Sequence, residues 1–266
     1  MIKNKGLGRV GLVLSGGGTH GYAHIGVIKV LAKNKIVPEY VVGSSAGALV
    51  GVLFCAGKTP KEIEKLFLEK KPYTFLDPTF SKAGLIRGEK ITQIVLDYAK
   101  IKIFDDLKIP LITNAINVNT GEERVFNKGL LSTAINASIA FPGIFVPRKI
   151  GDEYYVDGGV YNPVPVHLAP EADTIIVVDV SKMLNQISSA NSAIQVLEQS
   201  VLLMQRRLVK YDLNLVSEGK NIVLIKPKTE RRQFFDLKSD SLRKMMNSGE
   251  KEAKKVLKPI LDKLNK

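Results

Sequence analysis

The pentapeptide Gly43-Ser44-Ser45-Ala46-Gly47 constrains this chain more than any other stretch, because of what stands on either side of it. Tyr40-Val41-Val42 before it is short and apolar, and an apolar helical run follows to about Ala56. Upstream, Val10 to Ser15 is another apolar run, stopped by three glycines, and it reads as a strand buried on both faces. Ile25, Ile28, Val30 and Leu31 then recur at helical spacing between about Gly21 and Asn34, and Pro38 marks the break. Strand, helix, strand, helix in this order is a βαβ unit, which asks for a parallel sheet with right-handed crossovers. The class is α/β.

Further along, helices are predicted over Lys61–Lys70 and Gly88–Lys100, separated by a loop rich in Pro and Gly. Ile109–Asn119 alternates and reads as a strand, with Arg124-Val125-Phe126 beside it. Leu130–Ala140 is a small-residue helix closed by Phe141-Pro142-Gly143. Glu153–Val156 is a strand entering Asp157-Gly158-Gly159, and Thr174–Val180 is the clearest buried strand. A long helix at about Asn191–Glu218, a strand at Asn221–Ile225 and a Lys-rich helix from Ser239 to the end complete the pattern. With no repeat, low-complexity tract or long linker, residues 1–266 are expected to form a single domain.

Composition excludes several classes. The 45% hydrophobic share argues against extensive disorder, and a lone cysteine, Cys55, rules out an internal disulfide framework and a cysteine-built zinc site. No signal-peptide pattern and no spanning apolar run are present, so a cytoplasmic chain is expected. The charge of +13, from 39 Lys and Arg against 26 Asp and Glu, fits either an anionic partner or simple solubility. Basic residues interleaved with aromatics, as in single-strand binders, are missing, and there is no Trp.

The chemistry starts at Gly16-Gly17-Gly18-Thr19-His20-Gly21, between a strand and a helix. Gly16, Gly18 and Gly21 match the dinucleotide fingerprint, in which backbone amides cradle a pyrophosphate. The same geometry can aim amides at a tetrahedral oxyanion, or form a tight turn with no ligand. The second strand separates these readings. A dinucleotide fold wants an acid at its end. Here Glu39 stands at its beginning, and the end carries G-x-S-x-G, the nucleophile-elbow pattern. Gly43 and Gly47 leave room for a sharp turn that sets Ser45 Oγ above the following helix, whose dipole favours negative charge.

A serine nucleophile needs a base. His20 and His24 fall in the glycine loop and the first helix. His167 can complete a Ser…Asp…His order, although it also suits a polar residue opening a helix. The leading candidate is a carboxylate acting directly: Asp157, at a strand end, followed by Gly158 and Gly159 that allow close backbone approach. As a base at neutral pH it is expected to be partly buried with a raised pKa.

These three segments, in this order, resemble the patatin-like phospholipases, bacterial members above all. The similarity extends through Ala23–Leu31, Ala137–Phe145 and Gly158–Pro165 and covers about residues 8 to 182. The resemblance implies a patatin-like three-layer sandwich with a mostly parallel central sheet, the elbow following its second strand. It implies a Ser45–Asp157 dyad in place of a triad, an oxyanion hole from the amides of Gly17, Gly18 and Thr19, and an acyl-enzyme. It further implies hydrolysis of phospholipid or neutral acyl-lipid esters, with no cofactor and no metal in the catalytic step. One position departs from the pattern: the fifth residue of the glycine loop, usually Arg or Lys, is His20, neutral for most of the time at pH 7.

Two other readings stay open, an acyl-CoA thioesterase or acyltransferase on the same serine, and a non-catalytic module binding a nucleotide or anionic lipid. The expected partners are an acyl lipid and the anionic inner face of a membrane, with no nucleic acid; nothing in the sequence sets an oligomeric state. Cys55, Met204, Met245 and Met246 are expected to pack. The C-terminal segment from Lys238, with nine basic and four acidic residues and an apolar stripe, is expected to pack that stripe on its own domain or to touch a membrane. Lys71–Arg87 is the candidate lid.

Overall fold

The computed structural model describes residue 4 and residues 6–70, 72–181, 193–217, 221–228 and 239–264. Its strands are β1 (Val10–Leu14), β2 (Tyr40–Gly43), β3 (Leu111–Asn117), β4 (Glu123–Phe126), β5 (Arg148–Ile150), β6 (Glu153–Asp157), β7 (Thr174–Val178) and β8 (Asn221–Ile225). The helices are α1 (Tyr22–Lys33), α2 (Ala46–Cys55), α3 (Pro60–Glu69), α4 (Glu89–Ala99), α5 (Leu131–Ser138), α6 (Ala193–Ser217) and α7 (Ser239–Leu264).

All eight strands join one sheet in the order β5-β6-β3-β2-β1-β7-β8, with β4 also on β3. β8, β7, β1, β2 and β3 run parallel. β4, β5 and β6 form an antiparallel flank. The alternation along each parallel strand says why both faces are covered. Leu12, Leu14, Val41, Ile176, Val178 and Ile225 enter a core shared with α1, α2, α4, α5 and α7. Val13, Val42, Ile175 and Val177 point the other way, onto Val164, Val166 and, from α6, Val209. Helices therefore flank the sheet on both sides, the three-layer arrangement expected.

Several expectations meet the structure at their margins. The predicted strand Ile109–Asn119 shortens to β3, and the helix predicted from Lys61 begins at Pro60, because Thr59 and Glu62 form a reciprocal capping box. No pattern predicts β5: three residues are too few for a period, and only pairing with β6 makes them a strand. Residues 191–192, 218 and 238, and Lys71 of the candidate lid, lie outside the described residues.

Cys55, Met245 and Met246 are buried as expected, whereas Met204 is 61% exposed. Its neighbour Gln205 and Val209 form the buried side of α6, which turns Met204 outward. α7 lays Leu242, Met245, Met246 and Leu257 inward along α1, so its apolar stripe is occupied within the chain. No helix among the described residues is long and apolar enough to cross a membrane.

Candidate active site

The register of β3 brings the site together. Its first half pairs with β2, setting Gly43 opposite Thr113; its second half pairs with β6, setting Ala115 opposite Asp157. The elbow at the end of β2 and the carboxylate at the end of β6 are thus anchored two residues apart on one strand, about 7 Å.

At the elbow, Ser45 adopts φ 53° and ψ −121°, a left-handed-side conformation that a non-glycine residue occupies only when its surroundings impose it. The glycines on either side allow the turn. A Cβ on Gly43 would lie 2.7 Å from the carbonyl oxygen of Gly47, and one on Gly47 would overlap the carbonyl oxygen of Leu14 at the end of β1. Gly16 rests against Cβ of Ser45 and Gly21 against Cβ of Ala46, so the glycine loop is packed directly on the elbow.

Behind that loop stands the exit of β7. The Ser15 amide donates to Val178 O at 3.1 Å, Ser15 Oγ accepts the Val180 amide at 2.8 Å, and Gly17 lies against the Val180 carbonyl. Residues Gly18–Gly21 then form a 3-10 turn leading into α1. The amides of Gly17, Gly18 and Thr19 have no hydrogen-bond acceptor among the described residues, which leaves three donors at the start of a helical turn beside Ser45.

Asp157 is buried. Its Oδ1 accepts the Gly159 amide at 2.7 Å, while Oδ2 has no partner in full hydrogen-bond geometry. Burial raises the carboxyl to about pH 7, a shift that the hydrogen bonds from the Ser45 hydroxyl and the Gly159 amide only partly offset. The Ser45 contact is therefore loose, close enough to act on the carboxylate without the alignment of a full bond, as is common before substrate arrives. The raised pKa agrees with the expectation from sequence, whereas the carboxyl, expected to be partly buried, is fully buried.

None of the three histidines joins the pair. His24 Nε2 bonds Ser15 O at 2.8 Å, and burial pushes its pKa down to about 4. His20, within the glycine loop, is buried. His167 lies 2.9 Å from Glu123 and 3.5 Å from Asp212. Burial works to lower its pKa, but the hydrogen bond to Glu123 and the charges of Glu123 and Asp212 outweigh it and raise it.

The structure adds residues that spacing could not single out. Ser138, fully buried at the end of α5, accepts the Ser45 amide at 3.0 Å and the Thr113 hydroxyl at 2.9 Å. Two residues on, the carbonyl of Ala140 accepts the Asp157 amide at 3.0 Å. The end of α5 thus holds the backbone of both dyad candidates. On the other side, Gln205 of α6 donates to the Gly159 carbonyl. A serine in a small-residue helix carries no signal of such a role; its partners are distant in sequence. Ser138→Ala leaves a half-buried amide and a buried hydroxyl without their acceptor. It is expected to cost about 1–3 kcal/mol in urea unfolding and to lower turnover of any ester that Ser45 cleaves.

Ser45, Gly18 and Thr19 line a cleft of about 870 Å³, its open mouth included. The remaining wall is apolar, with Tyr22, Leu49, Phe67, Phe75, Phe141 and Phe145 prominent. Among the described residues no group of His, Cys, Asp or Glu side chains is arranged to hold a metal ion.

A family model described as patatin-like phospholipase matches residues 12–170, more than half of the chain, including the glycine loop, the elbow, α5 and Asp157. The chain belongs to the patatin-like phospholipase family. An uncharacterized NTE family protein of Mycobacterium tuberculosis is 37% identical to this patatin-like chain over 160 residues, 59% of this chain and 44% of that protein. Neuropathy target esterase sws of Drosophila melanogaster is 29% identical over 187 residues, 64% of this chain and 13% of that protein. The chain therefore spans less than half the length of these curated relatives. Among solved structures, VipD from Legionella pneumophila superposes with a TM-score of 0.57 at 13% identity, covering 95% of this chain and 67% of that one. Human GIVD cytosolic phospholipase A2 gives 0.54 at 11% identity, covering 97% and 60%. At those identities the two structures speak for the fold.

Proposed function

We propose that the chain is a serine lipid acyl hydrolase of the phospholipase A or lysophospholipase type, acting through a Ser45–Asp157 dyad. The observation that carries the proposal is a strained elbow serine that lines an apolar cleft and lies within reach of a buried carboxylate whose Oδ2 has no partner in full hydrogen-bond geometry. Family membership supports the lipid-hydrolase class. Neuropathy target esterase and cytosolic phospholipase A2 are named for ester cleavage, and the same chemistry is proposed for this chain.

Each residue type then has one task. Asp157 Oδ2 takes the proton of Ser45 as Oγ attacks the ester carbonyl. The carbonyl π electrons move onto oxygen, and the amides of Gly17, Gly18 and Thr19 receive the oxyanion. Collapse of the tetrahedral species breaks the C–O bond to the leaving alcohol, which takes the proton back from Asp157. Water, deprotonated by the same carboxylate, then cleaves the acyl-Ser45 ester and releases the fatty acid. The apolar wall suits the acyl chain.

A fluorophosphonate probe is expected to label the wild-type chain at Ser45 and not the Ser45→Ala variant. Mass spectrometry of lipid extracts is expected to find fatty acid released from phospholipid or lysophospholipid by wild type, with Ser45→Ala as the blank. Acyl-CoA in the same panel separates a thioesterase from a lipid esterase. Equal labelling of both proteins, or no acyl release from any substrate, sinks the proposal.

A further inference from the structure

Residues 77 to 87 form a hairpin-like loop at the wall of the cleft. The Thr79 amide donates to Leu85 O at 3.1 Å, the Arg87 amide to Asp77 O at 3.1 Å, and Pro78 bridges Ile86 antiparallel. The Asp77 carboxylate ties the base of the loop to α4 by accepting the amides of Gly88 at 2.8 Å and Lys90 at 2.9 Å. Leu85 and Ile86 donate to Ile144 O, which fastens the loop to the segment that carries Phe145 of the cleft. Just before the loop, Phe75 and Leu76 point into the cleft itself.

A loop so anchored could fold its apolar side chains inward, yet it does the opposite at its tip. Phe80 is fully exposed, at 107%, and Leu85 is 63% exposed. A lone exposed apolar side chain is ordinary, but here two large ones share one loop tip with cations beside them in sequence, the pairing of chemistries that a membrane interface takes up. The sequence around them is basic: residues 70–90 hold Lys70, Lys71, Lys82, Arg87 and Lys90 against Asp77 and Glu89. The two acids are already engaged, Asp77 by backbone amides and Glu89 by Arg148 at 2.7 Å. Lys82 and Arg87 are exposed, and neither pairs with a carboxylate among the described residues.

We infer that the 77–87 loop docks the chain on an anionic phospholipid bilayer, Phe80 and Leu85 entering the interface while Lys82 and Arg87 meet lipid phosphates. The tip is too small for a stable protein–protein interface, which buries roughly 800 Å² per partner. A bilayer suits it, since insertion of a few apolar side chains and attraction of cations to an anionic leaflet add together. The surplus of +13 on the whole chain acts in the same direction. Docking here brings lipid to a loop fastened beside Phe145 of the cleft wall. The use of the surface rests on the lipid-hydrolase reading; its existence does not.

The test uses the full chain carrying Ser45→Ala, so that vesicles stay intact. Flotation is measured with phosphatidylcholine vesicles, either pure or with about half phosphatidylglycerol, at salt low enough and then high enough to screen surface charge. The parent is expected to float with the anionic vesicles and to be released by salt. F80S/L85S is expected to lower its partitioning at least about tenfold, and K82Q/R87Q to reduce it to the level on neutral vesicles. In a Ser45 background, both loop variants are expected to hydrolyse a soluble short-chain ester at the wild-type rate and to keep the wild-type Tm. Flotation of F80S/L85S equal to the parent overturns the proposal, as does binding indifferent to anionic lipid. A loop variant that loses Tm or soluble-ester turnover also overturns it, because the loop is then part of the fold or the site. Loop-dependent flotation by a chain that cleaves no ester would leave the docking surface standing and remove the hydrolase reading. Soluble-ester turnover with loop-independent flotation does the reverse.

Discussion

Asp157→Asn is expected to remove ester hydrolysis and, at the same time, to make the chain more stable above neutral pH. Both effects come from one environment. The carboxyl is buried with no cation against it among the described residues, and its pKa rises from 3.8 to about 7. In the unfolded chain it titrates near 3.9. The folded state therefore holds the proton more tightly, and stability falls as pH rises from about 4 to about 7. Well above 7 the ionised carboxylate costs the fold roughly 4 kcal/mol, since each tenfold difference in proton affinity between the folded and unfolded states is worth about 1.4 kcal/mol. Asparagine keeps an acceptor for the Gly159 amide and carries no charge. Its gain over wild type in urea unfolding should be larger at pH 8 than at pH 5 by about 2–3 kcal/mol. A gain that stays flat with pH contradicts the assignment. The kinetic counterpart is a wild-type kcat/KM on a soluble ester that climbs with pH through an inflection near 7, as the carboxylate forms. The variant should lose that inflection and about 10³-fold in rate, within the range of a removed general base.

Gly47→Ala is expected to disable the elbow by a different route. Gly47 sits in the first turn of α2 with the end of β1 pressed against its Cα; an added methyl would overlap the Leu14 carbonyl oxygen and crowd that of Ser15. Those obstacles are backbone atoms in the middle of a sheet and cannot swing aside. The helix start has to move, and with it Ser45. A loss of about 3 kcal/mol, the upper part of the overpacking range, is expected in urea unfolding, together with loss of fluorophosphonate labelling in the protein that remains folded. Gly51→Ala, one turn on, is the control. Its methyl meets only side chains, the nearest that of Leu111 at 3.3 Å, which can rotate. There the higher helix propensity of alanine should offset the crowding and leave stability within about 1 kcal/mol of wild type. Equal damage from the two substitutions contradicts the close-approach argument.

The parts of the site that could be read from the sequence are those made by local backbone chemistry. Gly43 and Gly47 around Ser45, and Gly16 to Gly18 after β1, announce sharp turns because few residues tolerate them, and the apolar strands beside them fix where the turns fall. Asp157 was legible only as a candidate, since an aspartate before two glycines is common. Its partnership with Ser45 depends on β6 pairing antiparallel with the half of β3 that β2 leaves free, a choice written in no local pattern. The same limit hides Ser138, whose partners Ser45 and Thr113 are distant in sequence. His167 illustrates the converse. Its place in the chain order fits a triad, but Glu123 and Asp212 hold it. For α7, the apolar stripe was plain and its destination was not; packing on α1 answers it.

The position of β1, with β2 on one side and β7 on the other, has a consequence for how the chain comes into being. A growing polypeptide carries Ser45 long before the ribosome has made Asp157, and the glycine loop waits longer still for Val180, whose carbonyl backs Gly17. Until residues 174–178 emerge, one edge of the first strand has nothing to bond. The elbow serine is therefore made early, and its surroundings are completed late, by strands that arrive from the far half of the message.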